Sequence, residues 1–306
     1  MTIQWYPGHI AKAEKALKEQ LKRVDVVLEV RDARIPSSTA LLPASSACSC
    51  PEGLGTLQTP PAHPQVPEWV GDKGRVLVLN RQDMISRQVQ TLWAEWFAAQ
   101  GSAVYFTNAK LGKGIKVLAA AATAAGAAMN QRRRDRGMLP RPVRAVAIGF
   151  PNVGKSALIN RLLGRRVVES AARPGVTRQL RWVRISKEIE LLDAPGVIPA
   201  KLDDRDAAFK LAICDDIGQA SYDNQLVAAE LVELLKQLDD EVNSLDAVRG
   251  RYELDPREIA GDEYLQALAQ LRYQGDVERT ARQLLTDFRK GQLGAHGLEL
   301  PPPIQT

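Results

Sequence analysis

The sequence predicts an α/β fold, a mostly parallel sheet covered by helices, followed by an all-α C-terminal region. Three observations carry this. Short apolar runs at 24–30, 75–79, 103–106 and 143–148 alternate with helical stretches, the pattern of a parallel sheet buried on both faces. The run at 143–148 breaks into Gly149-Phe150-Pro151-Asn152-Val153-Gly154-Lys155-Ser156, and an amphipathic helix begins at Ala157. After Pro199 the strand signal ends and only helical spacing continues.

The 306 residues are enough for two ordinary domains, and the change after Pro199 divides them at 1–200 and 201–306. No stretch approaches a membrane span, and the opening residues lack the apolar run of a secretory signal. Three cysteines, Cys48, Cys50 and Cys214, make neither a disulfide framework nor a zinc pattern, so a cytoplasmic location is expected. A net charge of +5 and a pI near 9.1 suit a nucleic-acid partner without requiring one.

In chain order, Trp5-Tyr6-Pro7-Gly8-His9 leads into a basic helix over 10–23. Strand 24–30 ends in Asp32-Ala33-Arg34-Ile35-Pro36, and 40–62, rich in Pro, Ser and Gly, reads as a flexible surface insertion. Strand 75–79 runs into Asn80-Arg81-Gln82-Asp83. Helix 86–100 carries Trp93, Trp96 and Phe97 at core spacing. Strand 103–106 leads to Thr107-Asn108-Ala109-Lys110, and an Ala-rich helix covers 114–130. The arginines of 131–144 read as a solvated linker, with a phosphate-backbone contact as the sharper alternative. Strands 179–185 and 188–192 follow, the second ending in Asp193-Ala194-Pro195-Gly196. Helices are expected over 204–248 (two, meeting near Tyr222), from Pro256 and over 259–273, and over 277–290 behind an Asp276 cap; 294–306 reads as a loose tail.

The glycines of the Gly149–Ser156 segment let successive N–H groups point at phosphate oxygens, and the following helix adds the positive end of its dipole. Lys155 can reach the outer phosphates and Ser156 can ligate Mg2+. In Asn80-Arg81-Gln82-Asp83 the carboxylate of Asp83 can accept two N–H groups of guanine that adenine lacks. There Asn80 would hold the loop and the base, with Arg81 over the ring. Asp193 can sit near Mg2+ through water, with the Gly196 N–H on the γ-phosphate, and Thr177 can ligate the metal. Every motif falls at the end of a strand, where a parallel α/β sheet binds ligands.

The order of these parts is unusual, because the guanine-side loops precede the phosphate loop. In this the chain resembles the circularly permuted GTPases, and more narrowly the ribosome biogenesis GTPase A (YlqF) family, bacterial assembly factors of the large ribosomal subunit. Trp5 to His9, Asp32 to Pro36, Asn80 to Asp83, Gly149 to Ser156, Arg173 to Thr177 and Asp193 to Gly196 carry the resemblance. It implies a circularly permuted P-loop GTPase domain, with GTP or GDP held by Asn80, Arg81, Asp83, Asn108, Ala109, Lys110, Pro151, Asn152, Val153, Gly154, Lys155, Ser156, Ala157, Thr177 and Gly196. It implies Mg2+ at Ser156, Thr177 and Asp193. Asn152 matches an Asn that in related GTPases helps to hold K+, with a loop-capping role as the alternative. Val197 follows Gly196 where Ras-type enzymes place a Gln, so the resemblance points to His9, with Lys155 and Gly196, for catalysis. The implied partner is the large ribosomal subunit and its rRNA, not DNA, contacted through Lys210, Arg272, Arg279, Arg282, Arg289 and Lys290. A GTP-hydrolysing switch stimulated by the ribosome and a nucleotide-binding RNA scaffold with negligible hydrolysis both remain open, and Asp83 disfavours an ATPase.

Overall fold

The computed structural model describes residues 8–42, 65–166, 180–196, 204–217, 222–238 and 245–303. Strands β1 (Val26–Asp32), β2 (Gly74–Asn80), β3 (Val104–Thr107), β4 (Val143–Ile148), β5 (Arg181–Arg184) and β6 (Ile189–Asp193) form one sheet in the order β3-β2-β1-β4-β6-β5. Neighbours are parallel except β5 and β6, which are antiparallel. The chain builds outward from β1 through β2 to β3, then crosses to β4 on the other side of β1. The C-terminal ends of β1 and β4 therefore flank the switch point where such sheets bind ligands.

Apolar runs such as Arg75 to Leu79 are needed because both faces are covered. Leu77 and Leu79 pack against Trp93, Trp96 and Phe97 of helix α3 (Arg87–Ala99). Val76 and Val78 point the other way, into the cluster that holds Ile115 and Leu118 of α4 (Ile115–Ala125). Helix α1 (Gly8–Leu21) contacts the short α2 (Val66–Val70). The Ala-rich stretch forms two helices rather than one, α4 and α5 (Ala127–Asp135). Gly126 joins them, and a Cβ there would come within 2.5 Å of the Val143 side chain. The first residues of the expected linker are thus helical, as Gln and Arg favour once the alanines have nucleated a turn.

The C-terminal region holds α7 (Arg205–Cys214), α8 (Asn224–Gln237), α9 (Asp246–Tyr252), α10 (Gly261–Arg272) and α11 (Val277–Arg289), after α6 (Lys155–Leu163) of the sheet domain. Asp204, Asp223 and Asp276 cap α7, α8 and α11 by accepting backbone N–H groups. α8 packs against α7, α10 and α11. Helix α10 starts at Gly261, not at Pro256, and passes so close to α8 that a Cβ at Gly261 would lie 2.3 Å from the Ala229 carbonyl oxygen. The seven-residue α9 was not anticipated; its pattern is too short to stand out.

Two expectations of looseness fail. The insertion does not begin at Ala40: Ala40, Leu41 and Leu42 are buried. The Leu41 and Leu42 N–H groups donate to Glu29 Oε1 at 2.9 and 3.1 Å, and Arg31 Nη2 donates to the Leu42 carbonyl at 2.9 Å. Burial pulls the Glu29 carboxyl upward, but Arg31 and Arg75 beside it hold it below the usual carboxylate range. The rest of the expected insertion, from 43 onward, lies outside the described residues.

Nor is 294–303 a loose tail. Leu298 and Glu299 are buried. The Glu299 carboxylate accepts the Ser37 N–H at 2.7 Å and the Ser38 N–H and hydroxyl, with Lys210 at 3.5 Å. Trp93 Nε1 donates to the Glu299 carbonyl, and the Leu298 N–H to that of Arg34 at 2.9 Å. The segment returns from the helices to the Asp32-to-Pro36 loop and fastens the two regions together.

Candidate functional site

The phosphate-loop motif runs from the end of β4 into α6, and its glycines sit where no side chain fits. A Cβ at Gly149 would lie 2.2 Å from the Val30 carbonyl oxygen of β1, and one at Gly154 (φ 99°) 2.2 Å from Asn80 Nδ2. Asn80, the buried last residue of β2, joins three loops. Its Nδ2 donates to the Val153 carbonyl at 2.9 Å, and its Oδ1 accepts the Thr107 hydroxyl at 3.1 Å and the Ala109 N–H at 3.2 Å. Asn80 thus ties β2 to the phosphate loop and to the Thr107–Ala109 segment. Asn108 shapes the next loop by accepting the Leu111 N–H at 2.8 Å, and Arg161 of α6 donates to the carbonyls of Ala109 and Lys110. Asp83 is exposed on the 3-10 turn Gln82–Met84 beside these loops.

Arg81 differs from expectation. Its Nη2 donates to the Asn152 carbonyl at 2.7 Å and its Nε lies 3.3 Å from Asp32 Oδ2. A buried carboxylate and a loop carbonyl hold this guanidinium better than an exposed site over a ring would. Asp32 is also gripped by Arg34, Nη2 to Oδ2 at 2.7 Å and Nε to Oδ1 at 3.0 Å, and both are wholly buried. Arg34 Nη2 continues to the Cys214 carbonyl of α7. Asn152 (φ 59°) donates from its side-chain amide to the Asp215 carbonyl at 2.6 Å. Next to it Asp216 is wholly buried and neither carboxyl oxygen has a hydrogen-bond partner. Burial first, and then Asp32, push its carboxyl well above the usual range. Asp215 and Asp216 were missed because nothing in their local sequence marks them; only the fold brings them to the phosphate loop.

Lys155, the first residue of α6, is buried, and its ammonium donates to the carbonyls of Gly149 at 3.1 Å and Phe150 at 2.7 Å. Burial lowers its pKa to about 8 against the pull of Asp193 and Asp216. Ser156 Oγ stands 3.4 Å from Asp193 Oδ2 at the end of β6. Two hard oxygen donors at that separation suit Mg2+. Gly196 lies against the loop, where a Cβ would come within 2.7 Å of Pro151. Ala157 is the third residue of α6. The expectation for Thr177 lies outside the described residues, as do Val197 and the side chain of His9.

Residues 144–250 match a family described as 50S ribosome-binding GTPase. Ribosome biogenesis GTPase A of Bacillus cereus is 32% identical, over 98% of this chain and 95% of its own length. That of Priestia megaterium is 32% identical over 98% of both. The chain belongs to the ribosome biogenesis GTPase A family. GNP-bound YlqF from T. maritima shares the fold, with a TM-score of 0.59 at 22% identity over 96% of this chain and 100% of that one. As a member of the ribosome biogenesis GTPase A family the chain is a GTPase that binds guanine nucleotide, which removes the ATPase reading. Among the described residues no helix is long and apolar enough to cross a membrane.

Proposed function

We propose that this GTPase is a cytoplasmic assembly factor that binds the maturing large ribosomal subunit with GTP and leaves after hydrolysis. One observation carries the switch. The phosphate loop is bonded directly to the helical region through Asn152 and Asp215, so a change at the phosphates is felt at the end of α7. Asp83 reads guanine, Lys155 neutralises the outer phosphates, and Ser156 with Asp193 and Thr177 holds Mg2+. K+ at Asn152 belongs to the same reading and would take its Oδ1 oxygen, since Nδ2 donates to the Asp215 carbonyl. The relatives' names, ribosome biogenesis GTPase A, support the partner.

Val197 cannot orient water through its side chain, so we assign that role to His9, near the start of α1, brought to the γ-phosphate when the subunit binds. The test is single-turnover hydrolysis by wild type and His9→Ala, with and without purified large subunits. Subunits should accelerate the wild type, and His9→Ala should lose roughly 10²-fold of the stimulated rate at unchanged nucleotide affinity. A wild-type rate unmoved by subunits rejects the switch, and a normal stimulated rate in His9→Ala makes His9 structural.

A further inference from the structure

The end of the sheet opposite the nucleotide loops carries a groove of about 480 Å³ lined by Lys73, Met129, Arg132, Arg133, Arg136 and Arg141 among others. It lies where β1, β2 and β4 begin: Val24 and Asp25 precede β1, Gly74 opens β2 and Arg141 precedes β4. Six- to seven-residue strands put it roughly 20 Å from the phosphate loop, so both places can be occupied together.

Five cations face two carboxylates in its lining. One of these, Asp25, is already neutralised, accepting both Nη atoms of Arg141 at 2.8 and 2.9 Å and the Arg144 N–H. Arg132, Arg133 and Arg136 pair with no carboxylate among the described residues; Arg132 and Arg133 donate only to backbone carbonyls. Of the helix that bears Arg132 and Arg133 only Met129 packs against the core, so packing leaves its arginines unexplained. Favourable interaction with the helix dipole explains a basic last turn but not a groove. Beside the arginines Met138 and Leu139 are exposed.

Four of the six basic residues expected to meet RNA in the helical region are engaged inside it, while Arg279 and Lys290 are exposed and pair with no carboxylate among the described residues. Arg289 donates to the carbonyls of Ile213 and Ala212 and to Tyr222, Arg282 pairs with Glu278, Arg272 with Glu253 and Lys210 with Glu299. Unpaired guanidinium forks around an open groove suit phosphodiester oxygens, which they can grip two at a time.

We propose that the groove between α5 and the starts of β1, β2 and β4 is a binding site for an RNA phosphate backbone; the choice of RNA rests on the ribosomal reading above. The site is separate from the nucleotide and contributes affinity more than sequence choice.

The test is fluorescence anisotropy of a labelled RNA hairpin with the full chain and with Arg132→Gln/Arg133→Gln/Arg136→Gln, over a range of salt. Each lost phosphate contact lowers the slope of log K against log salt by about 0.7–0.9, so the triple variant should lose about 2–3 from the slope and on the order of 100-fold or more in affinity near 0.1 M salt. The corresponding triple lysine variant should keep the slope. Unchanged affinity for a fluorescent GTP analogue shows that the fold is intact. Unchanged hairpin affinity and slope in the glutamine variant overturn the proposal. Displacement of the hairpin by polyglutamate as readily as by unlabelled RNA also overturns it, in favour of an acidic protein. Co-sedimentation with large subunits separates the two readings. Subunit binding that survives with hairpin binding unaltered removes the groove alone, and hairpin binding by a chain that ignores subunits removes the assembly role alone.

Discussion

At the C-terminal ends of the strands a cluster of charged side chains is buried around the phosphate loop; at the N-terminal ends of the same sheet the groove's three arginines without carboxylate partners face solvent. Asp32, Arg34, Arg81 and Asp216 form the first group, around the phosphate loop and the end of α7. Arg132, Arg133 and Arg136 form the second. The difference follows from what each end must do. Phosphoryl transfer needs groups held to fractions of an ångström, and burial with mutual hydrogen bonds provides that. A polyanion of varied shape is better met by charges on mobile stems that pay little desolvation. The buried end carries a cost in Asp216, a wholly buried carboxyl with no hydrogen-bond partner whose pKa burial pushes well above the usual range.

The largest expected effect contrasts the two ends directly. Arg34→Met leaves the buried Asp32 carboxylate with Arg81 alone, and breaking a wholly buried pair costs about 3–5 kcal/mol. Arg132→Met at the exposed end should change stability by less than about 0.5 kcal/mol. Urea denaturation of both variants measures the difference. Equal midpoints would show that the buried network does not hold the two regions together.

Much of this arrangement was legible because it is local. The phosphate loop, Asn80 and Asp193 each follow a strand whose apolar run shows where it ends. What was hidden is what depends on distant chain. Nothing near Glu299 marks it as the acceptor for Ser37 and Ser38, 261 or more residues away. Pro301 to Pro303 and the neighbouring glycines read as a frayed end, yet Leu298 is buried between the regions. The same holds for Ala40 to Leu42, whose polar neighbours masked three residues pinned by Glu29 and Arg31. Arg81 was aimed at the base because its motif places it there, while the competing partner, Asp32, comes from another strand.

The next effect in size tests whether the buried end serves guanine. Asp83 is exposed, so Asp83→Asn should leave the urea midpoint where it is. Loss of a charge-assisted two-point contact should weaken GTP by on the order of 2–4 kcal/mol and favour xanthosine triphosphate, whose edge differs at the same positions. Titration with labelled forms of both nucleotides reads the reversal. A variant that still prefers GTP moves base recognition away from Asp83.

The smallest effect comes from Lys155, and its sign separates a buried lysine from an exposed one. Burial lowers its pKa to about 8 from an ordinary value of 10.5. Between those values the unfolded chain holds a proton that the folded one has released. The stability of the nucleotide-free protein should therefore rise with pH across that window, by about 1 kcal/mol from pH 8 to pH 9. Nucleotide binding runs the other way. Phosphate oxygens favour the charged ammonium, so binding must restore the lost proton, and affinity for GDP should fall roughly tenfold between pH 7 and pH 9. The far groove does not contain Lys155, so RNA-hairpin binding should stay flat over the same range. Lys155→Met should abolish the slope in both the denaturation and the GDP measurement. Parallel slopes for stability and affinity, or a slope that survives in Lys155→Met, would place the titrating group elsewhere in the chain.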